Sequence, residues 1–502
     1  MERTVFGMLV CFLALVPYLA DSSQEKMPYN AQGELVGEVT CDSAIVRARL
    51  TLRPERNPIT DAGMGGRLVW VPWAPNISEG VPGKEGWVRV HYGTKPALSD
   101  ARATAWAKAE KENDCSVQFK LSGLKPATTY YYRVEMVNRR GEGPGRMGGI
   151  GCFKTAPPAD VCVPVRFTVT TGQAMRSRDI VRDGNPWGFK THQAIARSKP
   201  DFHVSTGDNV YYDQDIFLAT NVELARYHWH RIYALPCVRD LFRTTPGYWE
   251  KDDHDYRWND CDPHQKVPRK LSAGNIMITD EMGRRLFRDA VPMSEKTYRT
   301  FVWGTGLQIW LTEGRDYRSP NAMPDGPDKT LWGAEQKAWL KKGLMESRCD
   351  FNVLISPTPL VGPDRQAKRD NHANRRGFWT EGREFLRWVR ESGLKNFYVV
   401  CGDRHWQYHS IDETGVEEFS CGAISDRHAA RNQPRWGKER QPHFRDGKGG
   451  FLMIDVQRGG SGPEVRFTFC DVDGNPVYVC RKKHEKGDES REPDSPPGHR
   501  GP

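Results

Sequence analysis

Two changes of pattern along the chain predict a small β-sandwich followed by a larger α/β domain of layered β-sheets flanked by helices. Up to Pro158 short strand-like runs are broken by turns, whereas from Val165 onward apolar strands alternate with amphipathic helical stretches. A third observation places the chemistry on the second domain. Three acid-and-histidine clusters, Gly207-Asp208-Asn209-Val210-Tyr211, Asp252-Asp253-His254-Asp255 and Gly402-Asp403-Arg404-His405, fall within it, the first and third directly after the apolar runs Phe202 to Ser205 and Phe397 to Cys401.

Taken in order, residues 1–20 read as a signal peptide: Arg3 precedes the one sustained apolar run, small Ala20 closes it, and the run is short for a bilayer span. The sandwich is predicted over residues 30–157, with strands at Ala44 to Leu52, Leu68 to Val71, Trp87 to Tyr92, Ser116 to Leu121 and Tyr130 to Val137. The stretch Leu124-Lys125-Pro126-Ala127-Thr128-Thr129-Tyr130-Tyr131-Tyr132 resembles the turn and aromatic strand of fibronectin type III domains, and Cys152 to Pro157 resembles their exit strand. The resemblance implies that the tyrosines are core and corner residues.

The α/β domain is predicted over residues 160–480. Its strands are Val165 to Thr170, Phe202 to Ser205, Leu307 to Thr312, Asn352 to Ser356, Asn396 to Cys401, Glu417 to Cys421, Phe451 to Val456 and Val465 to Phe469. Helices are expected at Trp187 to Ala196, Val222 to Tyr233, Glu335 to Met345 and Glu381 to Glu391; in the third, Trp339 and Leu340 share one face and the lysines another. Residues 481–502, charged and rich in Pro and Gly, read as a disordered tail.

The net charge of +9 is interspersed along all 502 residues, and no basic helix, zinc finger or aromatic RNA-binding signature accompanies it. Nucleic acid is therefore not an expected partner, and no membrane span is expected in the mature chain. The twelve cysteines are scattered rather than grouped as CxxC pairs. Cys470 with Cys480, flanking a hairpin at Asp473-Gly474-Asn475, and Cys152 with Cys162, flanking Pro157-Pro158, are candidate disulfides.

Acids and imidazoles from distant loops can converge at one edge of a sheet, where hard cations offset the cost of gathering them. The three clusters, in order, resemble the alkaline phosphatase D (PhoD-like) family of calcineurin-like metallophosphoesterases. Asp252-Asp253-His254-Asp255-Tyr256 with Asn259-Asp260 is similar to that family's DDHDYGxND signature, with Arg257 in place of its glycine. Glu313-Gly314-Arg315-Asp316-Tyr317-Arg318 resembles its acidic-x-R-x-Y-R element, and Gly333 to Leu340 the helix that follows.

The resemblance implies a secreted, periplasmic or envelope phosphatase or phosphodiesterase acting on a small phosphate ester through a metal-activated hydroxide. It assigns two or more metal ions, whether calcium, iron or another divalent ion, to Asp208 as bridge, Tyr211, Asp253, Asp403 and His405. His254 would act with Asp208 in catalysis as proton donor to the leaving oxygen, or would be structural, bonded to Asp255. Arg315 and Arg318 would clamp phosphate, and Asn209, Asn259 and Asp260 would position the ligands. Many members place a cysteine ligand where Gly172 stands here, which weakens a ferric assignment. The alternative expectation is a metal-poor, non-catalytic envelope or glycan-binding protein; the oligomeric state is open.

Overall fold

A computed structural model describes residues 26–58, 77–178, 188–214, 217–267, 277–365, 367–429 and 443–485. The expected signal peptide, the Leu68 to Val71 strand and most of the expected tail lie outside these residues.

The N-terminal region is built from strands β1 Leu35–Gly37, β2 Ser43–Arg49, β3 Gly86–Gly93, β4 Arg102–Ala103, β5 Ala107–Ala109, β6 Ser116–Ser122, β7 Thr129–Val137, β8 Arg146–Met147 and β9 Gly151–Lys154. Strands β3, β4, β5, β7, β8 and β9 form one sheet, and β1, β2 and β6 face it. Alternation fixes which side chains enter the space between: Val88 and Val90 of β3, Val46 and Ala48 of β2 and Tyr130, Tyr132 and Val134 of β7 form one apolar cluster. The expected sandwich core is present, with one difference. Strand β1 pairs in parallel with a strand of the following domain, Gly37 opposite Gly247, so the second sheet does not end at the domain junction.

The chain continues through β10 Val165–Thr170, α1 Lys190–Ser198, β11 Phe202–Thr206, α2 Val222–Tyr233, α3 Pro236–Thr244, β12 Gly247–Glu250 and α4 Asp280–Ala290. Next come β13 Arg299–Trp303, β14 Leu307–Leu311, α5 Gly333–Glu346, β15 Phe351–Ser356, α6 Trp379–Glu391, β16 Phe397–Cys401, β17 Gln407–Ile411, β18 Glu417–Cys421 and β19 Phe444–Asp446. Three long antiparallel strands close the chain: β20 Gly450–Gly459, β21 Gly462–Asp471 and β22 Pro476–Lys483.

These strands make two sheets. The first has the order β22-β21-β20-β10-β11-β12-β1-β2-β6 and the second β13-β14-β15-β16-β18-β17-β19. Phe167, Val204, Leu452 and Phe467 from the first sheet pack against Ile309, Val353, Val400 and Phe419 from the second. Helices cover the outer faces: Ile195, Trp229, Leu241 and Phe287 of α1 to α4 on one side, Leu340, Leu344, Phe385 and Leu386 of α5 and α6 on the other. Local chemistry sets the helix starts. The Asn221 side chain accepts the Leu224 N–H, Thr279 accepts the Met282 N–H, and Pro236 opens α3 where no amide hydrogen is needed.

Several expectations are corrected. Helix α1 starts at Lys190, and Trp187 lies outside the described residues. Strand β22 runs to Lys483, so Arg481 to Lys483 are strand rather than tail, paired with Glu464 to Arg466. The Cys470–Cys480 hairpin exists, but its register sets Cys470 opposite Pro476 and Cys480 opposite Phe467, and both thiols are free. Cys152 sits opposite Tyr131 in β9 while Cys162 is exposed beyond the strand; these are free as well.

Candidate metal centre

Parallel pairing gives the two inner sheets a common edge. Strands β10, β11 and β12 run parallel in the first sheet and β14, β15, β16 and β18 in the second. Their carboxyl ends deliver Thr171-Gly172, Gly207-Asp208, Lys251 to Asp253, Glu313 to Arg315 and Gly402-Asp403 to one place, the position at which open α/β sheets hold ligands. The close approach demands glycine at two points. A Cβ at Gly402 would lie 2.4 Å from the Thr206 carbonyl oxygen, and one at Gly207 would lie 2.5 Å from Asp252 Cβ. Asp208 and Asp403 themselves adopt left-handed backbone, φ 56° and 57°, an uncommon state for side chains that do not need it.

Asp208 is buried at the centre. Tyr211 Oη donates to Asp208 Oδ2 at 2.7 Å, and His405 Nε2 lies 3.1 Å from the same phenol oxygen and 3.5 Å from Asp208 Oδ2. Asp208, Asp253 and His254 bring one ligand atom each within 4.8 Å of one another. Asp403 joins through a second group of acids, so the expected ligands Asp208, Tyr211, Asp253, Asp403 and His405 all lie at this edge.

Sequence reasoning missed two of the acids there. Asp370 belongs to two further groups of close ligand atoms, Asp253–Asp260–Asp370 and Asp364–Asp370–Asp403. It is fully buried, and neither of its carboxylate oxygens has a hydrogen-bond partner. Asp208 Oδ1 and Asp252 Oδ2 are also buried without one. The segment that carries Asp364 and Asp370 follows β15 as an irregular loop, so no strand flags it; the run Asp370-Asn371-His372 was its one visible signal. His428 was missed too. Its ring lies 4.1 Å from that of His405 and 4.9 Å from Tyr211, with Nδ1 2.9 Å from the Gly172 carbonyl oxygen.

The two expected phosphate-clamping arginines are buried and bonded to protein groups. Arg315 is fully buried and spends its guanidinium on Asp252, at 2.8 Å from Nε and 2.5 Å from Nη2, and on the Cys261 carbonyl. Arg318 is equally buried, donating to the Gly314 carbonyl and to Asn321. Both tie loops together beside the acids, and Arg318 Nη2 is buried without a hydrogen-bond partner. Lys368, with 12% of its side chain exposed, places Nζ 2.8 Å from Asp260 Oδ1 and 3.5 Å from Asp403 Oδ1.

The supporting residues behave as their chemistry requires. Asn209 donates its side-chain amide to the Glu250 carbonyl and to Asp255. Asp260 gives its backbone N–H to Asp253 at 2.6 Å, and Asn259 gives its own to Asp213 at 2.8 Å. His254 Nδ1 is anchored by Asp213 at 2.6 Å rather than by Asp255, which instead accepts from the Asn209 and Asp252 amides. Gln214 lies 3.2 Å from His254 Nε2, and the Tyr211 ring packs against the imidazole, tilted by 31° at 4.4 Å.

Burial pushes the Asp208 carboxyl up to about 7, with His254 opposing and Asp253 adding to the rise. Burial and Asp370 likewise lift Asp260 to about 7. Burial would raise Asp253 as well, but His254 and Arg315 outweigh it and hold that carboxyl well below its usual range. Burial lowers the His405 imidazole to about 3, leaving it neutral. His254 goes the other way: burial disfavours its charge, yet Asp253, Asp213 and Asp208 together hold the imidazole protonated.

Six buried acids, Asp208, Asp252, Asp253, Asp364, Asp370 and Asp403, with the partly exposed Asp260, thus face Arg315, Arg404, Lys368 and His254. The charges do not close within the protein, and the orphaned carboxylate oxygens are of the kind hard cations bind. At Gly172 the backbone is left-handed, φ +68°, and a Cβ would press on His405 at 3.2 Å, so a side chain there would be strained.

Two sheets flanked by helices, with acid-rich loops at their carboxyl edge, form a metallophosphoesterase-like architecture. The sequence profile of the "PhoD-like phosphatase" family matches residues 167–458, and that of the "PhoD-like phosphatase, N-terminal domain" matches residues 19–157. The chain belongs to the PhoD-like phosphatase family. A curated relative, alkaline phosphatase D of Bacillus subtilis (strain 168), is 22% identical over 436 residues, an alignment spanning 77% of this chain and 66% of the relative. A solved structure of PhoD superposes with TM-score 0.69 at 16% identity, covering 92% of each chain. The purple acid phosphatase PPD1 from yellow lupin (Lupinus luteus) seeds shares the fold with TM-score 0.59 at 13% identity, covering 89% of this chain and 73% of that one.

Proposed function

We propose that this chain is an exported metal-dependent phosphatase or phosphodiesterase, with its chemistry at the Asp208–Asp253–Asp403–His405 edge. The observation that carries the reading is the excess of buried acids with orphaned oxygens, which calls for cations. Asp208, in contact with Tyr211 and His405 and grouped with Asp253, would bridge the ions, and Asp253, Asp260, Asp364, Asp370 and Asp403 would supply further carboxylates. When bound, the ions supply a hydroxide at neutral pH and neutralise charge on the phosphoryl group.

The protein's own residues do the rest. Lys368 and the partly exposed His405 line the open side, so Lys368 meets the phosphate oxygens in the role the sequence had given to Arg315 and Arg318. His254, kept protonated by Asp213 and oriented by the Tyr211 ring, donates a proton to the departing oxygen. Export rests on the apolar run of residues 5–20, and among the described residues no helix is long and apolar enough to cross a membrane. The N-terminal β domain is fibronectin type III-like in this reading, supported by the Tyr130 hydroxyl accepting the Lys125 N–H at 2.9 Å, a tyrosine-corner contact.

The test is hydrolysis of a panel of phosphomonoesters and phosphodiesters before chelation, after it, and after return of single ions. Loss on chelation and recovery with a divalent ion is the expected result. Full activity in exhaustively chelated protein, or no ester hydrolysed in metal-replete protein, overturns the reading.

A further inference from the structure

A second cluster of metal-ligating side chains sits away from the acid edge, where the two inner sheets meet at β17, β18 and β22. His409, Glu417 and Cys480 each place one ligand atom within 4.8 Å of the others. The register explains the convergence. His409 lies opposite Phe419 across β17 and β18, so Glu417, two residues before Phe419, shares its face, and the His409 ring stacks on Phe419 at 4.3 Å. From the other sheet, alternate residues of β22 reach the same place: Tyr478, Cys480 and Lys482.

We propose that His409 Nε2, Glu417 Oε2 and Cys480 Sγ form a separate site for a borderline divalent cation of the zinc class, with His443 beside its fourth position. An imidazole, a carboxylate and a thiol from three strands are a donor set that selects zinc or cobalt over calcium and magnesium. The acid edge, built from oxygens, has the opposite preference. The surroundings are those of a ligand sphere. Tyr478 Oη lies 3.0 Å from His409 Nδ1, so an ion that takes Nε2 from its contact with Glu417 Oε2 leaves the ring proton on Nδ1, where Tyr478 accepts it. Lys482 Nζ holds Glu417 Oε1 at 2.6 Å and leaves Oε2 facing His409 Nε2 at 2.8 Å. Donors around a tetrahedral zinc stand about 3.3–3.7 Å apart, so this pair opens by roughly half an ångström to admit an ion. The His443 ring is 5.6 Å from that of His409.

Cys480 is available because the hairpin register keeps it from Cys470. Binding expels the thiol proton, so the bound ion carries one thiolate and one carboxylate charge, and affinity falls in acid. Since β17 and β18 belong to one sheet and β22 is the outer strand of the other, the ion acts as a clip between the sheets.

The experiment uses the full chain, stripped of metal and titrated with Co2+ in excess Ca2+. One equivalent of cobalt with a thiolate charge-transfer band in the near ultraviolet is expected, together with a rise of several degrees in Tm when zinc is added. Cys480→Ser abolishes the band and the zinc-dependent rise while phosphatase activity persists, and Glu417→Gln weakens both. Asp208→Asn keeps the band, so failure of this site and failure of the phosphatase reading are told apart. No thiolate band in the wild type, or a band that survives Cys480→Ser, overturns the proposal.

Discussion

Two buried polar clusters use the same kinds of side chain to opposite ends. Where the N-terminal β domain meets α2, Arg49 Nε lies 3.0 Å from Asp114 Oδ2, Arg49 Nη2 lies 3.1 Å from Oδ1, and His230 Nε2 approaches Oδ2 at 2.5 Å. The rest of the guanidinium donates to the Val81 carbonyl and Gln32. One acid meets one arginine and every strong group has a partner. At the carboxyl edge of the sheets, acids outnumber cations and oxygens of Asp208, Asp252 and Asp370 are left over. The first cluster is complete as protein and joins the N-terminal β domain to α2; the second leaves buried carboxylate oxygens without hydrogen-bond partners. Closure of charge, rather than the number of acids, separates structure from site.

The sharpest break in that comparison is Asp208→Asn. Removing one charge from the central position should lower turnover by about a thousandfold or more and deplete bound metal, while the circular dichroism spectrum stays unchanged. At the closed cluster, Asp114→Asn should do the reverse. It leaves Arg49 buried without its counter-ion, so urea denaturation should show a loss of about 3–5 kcal/mol with kcat preserved.

A third test concerns pH. Glu381 accepts from Leu331 N–H at 2.6 Å, from Thr330, and from His372 at 3.0 Å. Burial raises its carboxyl, but these bonds, His372 first, outweigh it and hold the group at about 2 instead of 4.5. A depressed folded-state value means stability that is full above pH 4.5 and lost as pH falls toward 2. The loss should be roughly 3 kcal/mol. Comparing denaturation of wild type and Glu381→Gln across that window should show the variant missing this part of the slope; equal slopes would refute it.

The smallest effect sharpens the membership of His254. His254→Ala should slow esters of poor leaving groups by about a hundredfold, spare activated aryl esters, and leave metal content intact. Metal loss would move His254 from the proton-donating groups to the ligands.

Much of the site was legible because its loops are short and follow strands. Gly207-Asp208 and Gly402-Asp403 come straight after β11 and β16, where an apolar run announces an edge. Asp364, Lys368 and Asp370 lie in a long irregular segment between β15 and α6, and His428 follows β18 by several residues, so nothing local marks their convergence. For Arg315 and Arg318 the sequence shows an arginine near acids but not that both are buried, because burial depends on the loops that fold over them. The layered sheets followed from hydrophobic pattern, whereas the parallel pairing of β1 with β12 depends on long-range register, which periodicity does not encode. Helices α3 and α4 escaped notice, though Pro236 at the start of one and Thr279 before the other were usable signals.

The proposed chemistry requires cations to fill the open charge at the sheet edge. The most direct measurement is elemental metal analysis of purified wild type, Asp208→Asn and Asp370→Asn, each alongside its activity. At least two ions per wild-type chain are expected, with each substitution losing at least one ion and most of the turnover. Wild-type protein that is fully active with less than one ion per chain, or variants that keep every ion, would contradict it.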